Sequence, residues 1–162
     1  MNLERIQLHN FRNYHSLELE LDPGVNLLVG DNAQGKTNLL EAIGYLGSGR
    51  SFRAQKNNEL VLLGEDFAEI KGTVFSQERK QELRWLVFSG QRPRQLSCNG
   101  VKKRSASEIS GVLNTVLFCP EDLQVLKSGA SARRKLGDMA LCQLRPNYDA
   151  ALAEYNRLLE QK

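Results

Sequence analysis

The sequence predicts an α/β fold: a mixed sheet around a phosphate-loop helix, an antiparallel meander beside it, and helices towards the C-terminal end. Three observations carry that expectation. Residues Gly30-Asp31-Asn32-Ala33-Gln34-Gly35-Lys36-Thr37 follow the spacing G-x-x-x-x-G-K-[ST], between an apolar run at 25–29 and an amphipathic stretch at 38–46. Residues 68–102 fall into short strand-like runs separated by turn residues. From Ser131 onward the apolar residues recur at helical spacing.

In chain order, residues 3–8 alternate and make a first strand. Residues 16–21 alternate strictly, with Leu17, Leu19 and Leu21 facing inward and Glu18 and Glu20 outward. Asp22-Pro23-Gly24 is a turn, proline setting φ and glycine accepting a positive one. Residues 25–29 read as a short buried strand that delivers the chain to the loop. In a strand, loop and helix arrangement, the loop's backbone N–H groups and the positive end of the helix can hold phosphate. Lys36 can then reach the β/γ-phosphates, and the Thr37 hydroxyl can ligate Mg²⁺. The four fixed positions match by chance in roughly one chain in a few hundred of this length, and the flanking elements lower that further.

The loop helix ends near Gly47-Ser48-Gly49. Strands follow at 68–75, 82–88 and 94–98, the last turning through Asn99-Gly100 into Val101-Lys102 as a tight hairpin. Residues 112–118 read as another buried strand, and Pro120-Glu121-Asp122 opens a helical turn. Leu136, Met139, Ala140 and Leu144 share one helix face. Pro146 ends that helix or begins the next, in which Leu152, Tyr155, Leu158 and Leu159 continue the spacing. The chain stops at Gln161-Lys162 with neither cap nor polar tail, which reads as a truncation within a helix.

A chain of 162 residues can bury roughly 70% of its unfolded surface around one core. Forty-one per cent hydrophobic and 25% charged residues are globular values, which argue against a disordered chain. No run approaches the roughly 18 apolar residues of a membrane span, and the N-terminus lacks a signal peptide's apolar stretch. Cys98, Cys119 and Cys142 are odd in number and widely spaced, so they suit neither a disulfide framework nor a metal site; free thiols fit a cytoplasmic protein. The net charge of +3 is unevenly spread: three basic and six acidic residues in 1–49, twelve and six in 50–104, seven and seven in 105–162. A middle third of net +6 suits a polyanion partner or, equally, a solvated set of loop and strand cations.

A resemblance spread along the chain sharpens the loop's meaning. Leu8-His9-Asn10-Phe11-Arg12-Asn13-Tyr14 resembles the opening of the RecF recombination-mediator family, and residues 30–43 and Gly49-Arg50-Ser51-Phe52-Arg53 match the same family. So do Phe118-Cys119-Pro120-Glu121-Asp122-Leu123, Arg133-Arg134-Lys135-Leu136-Gly137-Asp138, Pro146-Asn147-Tyr148 and residues 155–161. These blocks keep family order over residues 2–161, so the whole chain resembles the N-terminal half of such proteins.

The resemblance implies a P-loop ABC-type ATPase head related to the SMC proteins, with residues 1–130 as part of lobe I and 131–162 as the truncated start of helical lobe II. Heads of that type dimerise around ATP, each nucleotide held by one subunit's phosphate loop and the other's signature motif. The implied partners are double-stranded DNA with gaps or junctions to single strand, RecR and RecO, a recombinase indirectly, and a second copy of the full-length chain; no membrane is implied. The implied cofactors are ATP and Mg²⁺.

Residue roles follow from the same resemblance. Arg12 and Asn13, at the end of the first strand, would reach the nucleotide's phosphates, unless Asn13 serves the turn itself. Arg53 resembles the arginine of the SMC-type R-loop, and its guanidinium suits phosphate. Arg50 is either a second such contact or a solvated loop arginine. Glu121 or Asp122 falls where related ATPases place a residue of the Mg²⁺ shell, though acids also suit a helix N-terminus. Lys102, Lys103 and Arg104, with Arg92 and Arg94, and Arg133, Arg134 and Lys135 are DNA-backbone candidates. Consecutive helical cations rotate about 100° per step, so at most two of the last three point together.

Two motifs needed for hydrolysis are absent from the sequence: an apolar strand ending in paired acids, and a Ser-x-Gly-Gln-like signature. Ser89-Gly90-Gln91 sits in an apparent strand-to-loop turn and is not that signature. The chain is therefore expected to bind nucleotide without turning it over. The competing expectations are the head of another SMC- or RecN-like ATPase, an ordinary phosphate-loop kinase or GTPase, and a protein-interaction module indifferent to ATP.

Overall fold

The computed structural model describes residues 1–118 and 129–161. Among the described residues, six strands form one sheet in the order β2-β1-β3-β4-β5-β6, with every pairing antiparallel. They are β1 (Asn2–Phe11), β2 (Tyr14–Glu20), β3 (Phe67–Ser76), β4 (Arg79–Phe88), β5 (Gln95–Cys98) and β6 (Val101–Lys103). The loop helix α1 spans Lys36–Ser48, and α2 (Ala130–Leu144) and α3 (Pro146–Glu160) follow. The strands of the meander lie where period-two alternation predicts them, and the hairpin turn has positive φ at both Asn99 (50°) and Gly100 (77°).

Strand register explains why one face is core. Leu17, Leu8, Ile70, Trp85 and Leu96 are successive partners across five strands, and Leu19, Ile6, Gly72, Leu83 and Cys98 form the parallel row. Helix α1 lies on this face against β3 and β4 with Leu39, Ala42 and Leu46 buried. Gly72 permits the approach: a Cβ there would stand 2.3 Å from Leu46 Cδ2. The opposite face is polar and self-neutralising, with ion pairs Arg5–Glu18, Arg84–Glu69 and Lys71–Glu82.

Two expected strands do not form. Residues 25–29 form no strand and pair with none, with Val25, Leu27 and Val29 exposed at 95%, 83% and 83%, while Leu28 alone turns to the core. A strand needs a neighbour for its N–H and C=O groups, and none of the described strands runs beside this run. The α/β class stands, but the sheet around α1 is consequently antiparallel rather than mixed among the described residues. Residues 112–118 likewise form no strand; Leu113 is buried, whereas Val116 and Phe118 are exposed.

The helical pair is tied by polar bonds to residue 50 and to residues 110–115, outside the sheet strands. Ser110 Oγ donates to the Cys142 and Gln143 carbonyls, the Gln143 amide clasps Thr115 N–H and C=O, and Arg50 pairs with Asp149 at 2.9 Å. Pro146 takes the first position of α3, where its missing N–H costs nothing. The apolar residues of the pair, among them Leu136, Leu144 and Leu158, remain about half exposed. Within α2, a Cβ at Gly137 would meet nothing within 4 Å. Gly137→Ala should therefore raise stability by about 0.5–1 kcal/mol, seen as a higher urea midpoint with an unchanged slope.

Candidate functional site

The loop reaches α1 through Gly35, whose φ of 102° is a left-handed conformation. A Cβ at Gly35 would also lie 2.8 Å from the Asn13 amide and from the Tyr14 hydroxyl, so a side chain there would strain the turn and displace both groups. Ala33 adopts φ 65° in the same turn. The first N–H groups of α1 have no side-chain cap, and no acid lies in the first turn. An uncapped helix start with its dipole intact is a place for an anion. The Lys36 ammonium donates to the carbonyls of Gly30 (2.5 Å) and Asp31 (2.6 Å), which draws the loop around the lysine. Thr37 is exposed beside it.

Two side chains three residues apart on α1, Asn38 and Glu41, present one stripe to the surrounding chain. Asn38 donates to Asn13 Oδ1 and accepts from Arg53 Nη1, both at 2.8 Å. Glu41 is completely buried and receives Arg12 bidentately, Nε to Oε2 at 2.9 Å and Nη2 to Oε1 at 2.7 Å. Arg12 Nη1 also donates to the Glu59 carbonyl at 2.8 Å. Ser51 Oγ donates to Glu41 Oε1 at 2.5 Å, and Arg53 Nη1 stands 4.0 Å from Oε2. Burial holds the Tyr14 phenol above its ordinary value, so the hydroxyl beside Gly35 is a neutral donor.

The structure thus gathers Arg12, Asn13 and Arg53 around the first turns of the loop helix. It gives them unequal freedom. Arg12 spends three N–H groups inside the protein, whereas the Arg53 side chain is half exposed and held by a hydrogen bond to Asn38 and a long, 4.0 Å ion pair with Glu41. Arg50 is taken by Asp149. Ser89-Gly90-Gln91 follows directly on β4, with Ser89 bonded to the Asp66 carbonyl, and precedes no helix. Glu121 and Asp122 lie outside the described residues.

The basic candidates divide by environment. Lys102 and Lys103 lie on the edge strand β6, with Arg104 just past it, and Arg133, Arg134 and Lys135 are exposed on the first turns of α2. Arg94 is exposed, but its guanidinium is engaged within the fold. Its guanidinium stacks 4.9 Å from the Trp85 ring and bonds the Tyr45 hydroxyl and the Gly49 carbonyl, which closes the C-terminal end of α1. Arg92 lies over the Phe88 ring at 4.9 Å.

Glu41, Ser51 and Asn38 carry the site's connectivity, yet no motif or spacing in the sequence marks them out. A helical wheel holds a signal, because Glu41 falls beside the buried Ala42 and Tyr45 and so needs a partner. That partner, Arg12, is 29 residues away.

The sequence model of the RecF/RecN/SMC N terminal domain matches residues 2–124. The chain belongs to this family. Over all 162 residues it is 39% identical to the DNA replication and repair protein RecF of Bacillus thuringiensis (strain Al Hakam), and equally to that of Bacillus cereus (strain B4264). It spans 43% of the length of each of these relatives. Two solved structures of the recombination mediator protein RecF in the RecFOR pathway, RecF-ATPrS and RecF-ATP, superpose with a TM-score of 0.92 at 40% identity. They cover 99% and 98% of this chain, which covers 43% of each. A structure from work on ATP-driven dimerization and DNA-stimulated activation of SMC ATPases matches 85% of the chain and 98% of its own, at 21% identity and a TM-score of 0.68. That likeness shows the shared ATPase-head fold alone. Within the family, then, the match to RecF runs the whole length of the chain.

Proposed function

We propose that this chain is the ATP-binding part of a RecF-type protein of DNA replication and repair, whose phosphate loop switches dimerisation on DNA rather than driving metabolic turnover. The observation that carries the reading is the uncapped start of α1, with Lys36 drawn over the loop and Asn13, Tyr14 and Arg53 around it. Support comes from the 39% identity to RecF along the whole chain and from the RecF-ATP structure it superposes on.

In this reading residues 30–37 cradle the triphosphate, and Lys36 exchanges the Gly30 and Asp31 carbonyls for β- and γ-phosphate oxygens. Thr37 holds Mg²⁺, joined by Glu121 or Asp122; when bound, the ion offsets phosphate charge. Asn13 and Arg53 flank the phosphates, and Arg12 acts indirectly by holding Glu41. Residues 1–130 form the nucleotide lobe and 131–162 the start of a helical lobe. With paired acids and signature motif absent from its sequence, the chain binds ATP without hydrolysing it.

Lys102, Lys103, Arg104, Arg133, Arg134 and Lys135 meet the DNA backbone, so binding is sequence-independent and falls steeply with salt. The full-length protein acts at gaps and single-strand junctions and cooperates with RecO and RecR in loading recombinase. The test is DNA binding by that protein on gapped and plain duplex, with and without ATP. ATP and a gap should each tighten binding, and removing Lys102, Lys103 and Arg104 together should lower the salt slope by up to about 3. Indifference to both nucleotide and gap would count against the proposal.

A further inference from the structure

Glu41 is a completely buried carboxylate on the helix that Lys36 begins, and the nucleotide reading gives it no task. Beside its bidentate pair with Arg12, it contacts the loop that carries Arg53. Ser51 Oγ donates to Glu41 Oε1 at 2.5 Å. Ser51 Oγ in turn accepts the backbone N–H groups of Arg53 (2.9 Å) and Ala54 (2.7 Å), so it shapes the turn in which Arg53 sits. One helical turn away, Asn38 takes the Arg53 guanidinium at 2.8 Å, and Arg53 is only 4.0 Å from Glu41 itself. Arg12 fills both carboxylate oxygens, which leaves Glu41 electrostatically satisfied and Arg53 in a looser embrace.

We infer that Glu41 and Ser51 are positioning residues for Arg53: the carboxylate fixes the serine, the serine fixes the Arg53 backbone, and the guanidinium is thereby presented beside the phosphate loop, with Glu41 at 4.0 Å rather than in a bidentate pair. This inference rests on the nucleotide reading above. It makes Arg53 the phosphate-contacting arginine and Arg12 the brace. A glutamine at position 41 is nearly isosteric but sets an amide N–H₂ against donors from Arg12 or Ser51, so it breaks the relay without opening a cavity. Ser51→Ala breaks it one step later and leaves the buried ion pair intact.

The experiment measures ATP and AMP affinity by calorimetry for the wild-type chain and for Glu41→Gln, Ser51→Ala, Arg53→Ala and the two doubles with Arg53→Ala. Thermal melts confirm that each variant is folded at the assay temperature. Glu41→Gln and Ser51→Ala should each weaken ATP about tenfold, the loss of one charge-assisted hydrogen bond, with little change for AMP. In the Arg53→Ala background neither should weaken ATP further, because the residue they act through is gone. If Glu41→Gln does not fold, Ser51→Ala with its double decides the matter alone. Additive losses, or equal losses for ATP and AMP, overturn the positioning role while leaving nucleotide binding in place. A wild-type chain that does not bind ATP overturns the nucleotide reading and this inference together.

Discussion

Glu41→Ala should cost about 3–5 kcal/mol of folding stability, because it strands the Arg12 guanidinium with a largely buried positive charge. Arg12 is only 20% exposed and Glu41 not at all, so solvent offers little compensation. The loss is a large share of the roughly 5–15 kcal/mol that holds a domain together. Arg12→Ala should cost a similar amount from the other side. Removing both charges together, Arg12→Met with Glu41→Leu, should restore most of the stability, since a buried ion pair returns little more than its own desolvation. Urea melts of the two singles and the double check this. A double variant as unstable as the sum of the singles would show that packing, not charge, holds the site.

Trp85→Ala is the second large effect, at about 3–5 kcal/mol. Trp85 is 2% exposed and central to the sheet, between Ile70 and Leu96 in register. Its indole N–H donates to the Leu46 carbonyl at 3.1 Å, and its ring meets Tyr45 edge-on with centroids 5.4 Å apart. The ring also carries the Arg94 guanidinium. Its loss therefore opens a cavity and frees the C-terminal end of α1 at once. Arg94→Ala should cost less, about 1–2 kcal/mol, for the stacking and the bond to the Gly49 carbonyl. If Arg94→Ala left stability untouched and instead weakened DNA binding, its place in the scaffold would be wrong.

The difference between these residues and their neighbours explains what could be read from the sequence. The meander was legible because alternation specifies a face and Asn99-Gly100 specifies a turn, both local properties. The loop and α1 were legible for the same reason. Residues 25–29 and 112–118 misled because an apolar run records a wish for burial but not whether a neighbouring strand exists to provide it. Arg92 and Arg94 are two residues apart in one sequence context, yet Arg94 reaches Tyr45, 49 positions away, and Arg92 does not. The site's flanks were visible as Asn13 and Arg53. The carboxylate that organises them was not, because Glu41 acquires its meaning only when β1 brings Arg12 to it.

The start of α1 is proposed as a phosphate site for ATP. It is tested most directly by titrating ATP with Mg²⁺ into the purified chain and into Lys36→Ala, with AMP as the control lacking β- and γ-phosphates. The wild-type chain should prefer ATP to AMP, and Lys36→Ala should lose about 10–100-fold in ATP affinity, the worth of one or two charge-assisted hydrogen bonds, with AMP little changed. Equal binding of ATP by both proteins, or none by either, would contradict it.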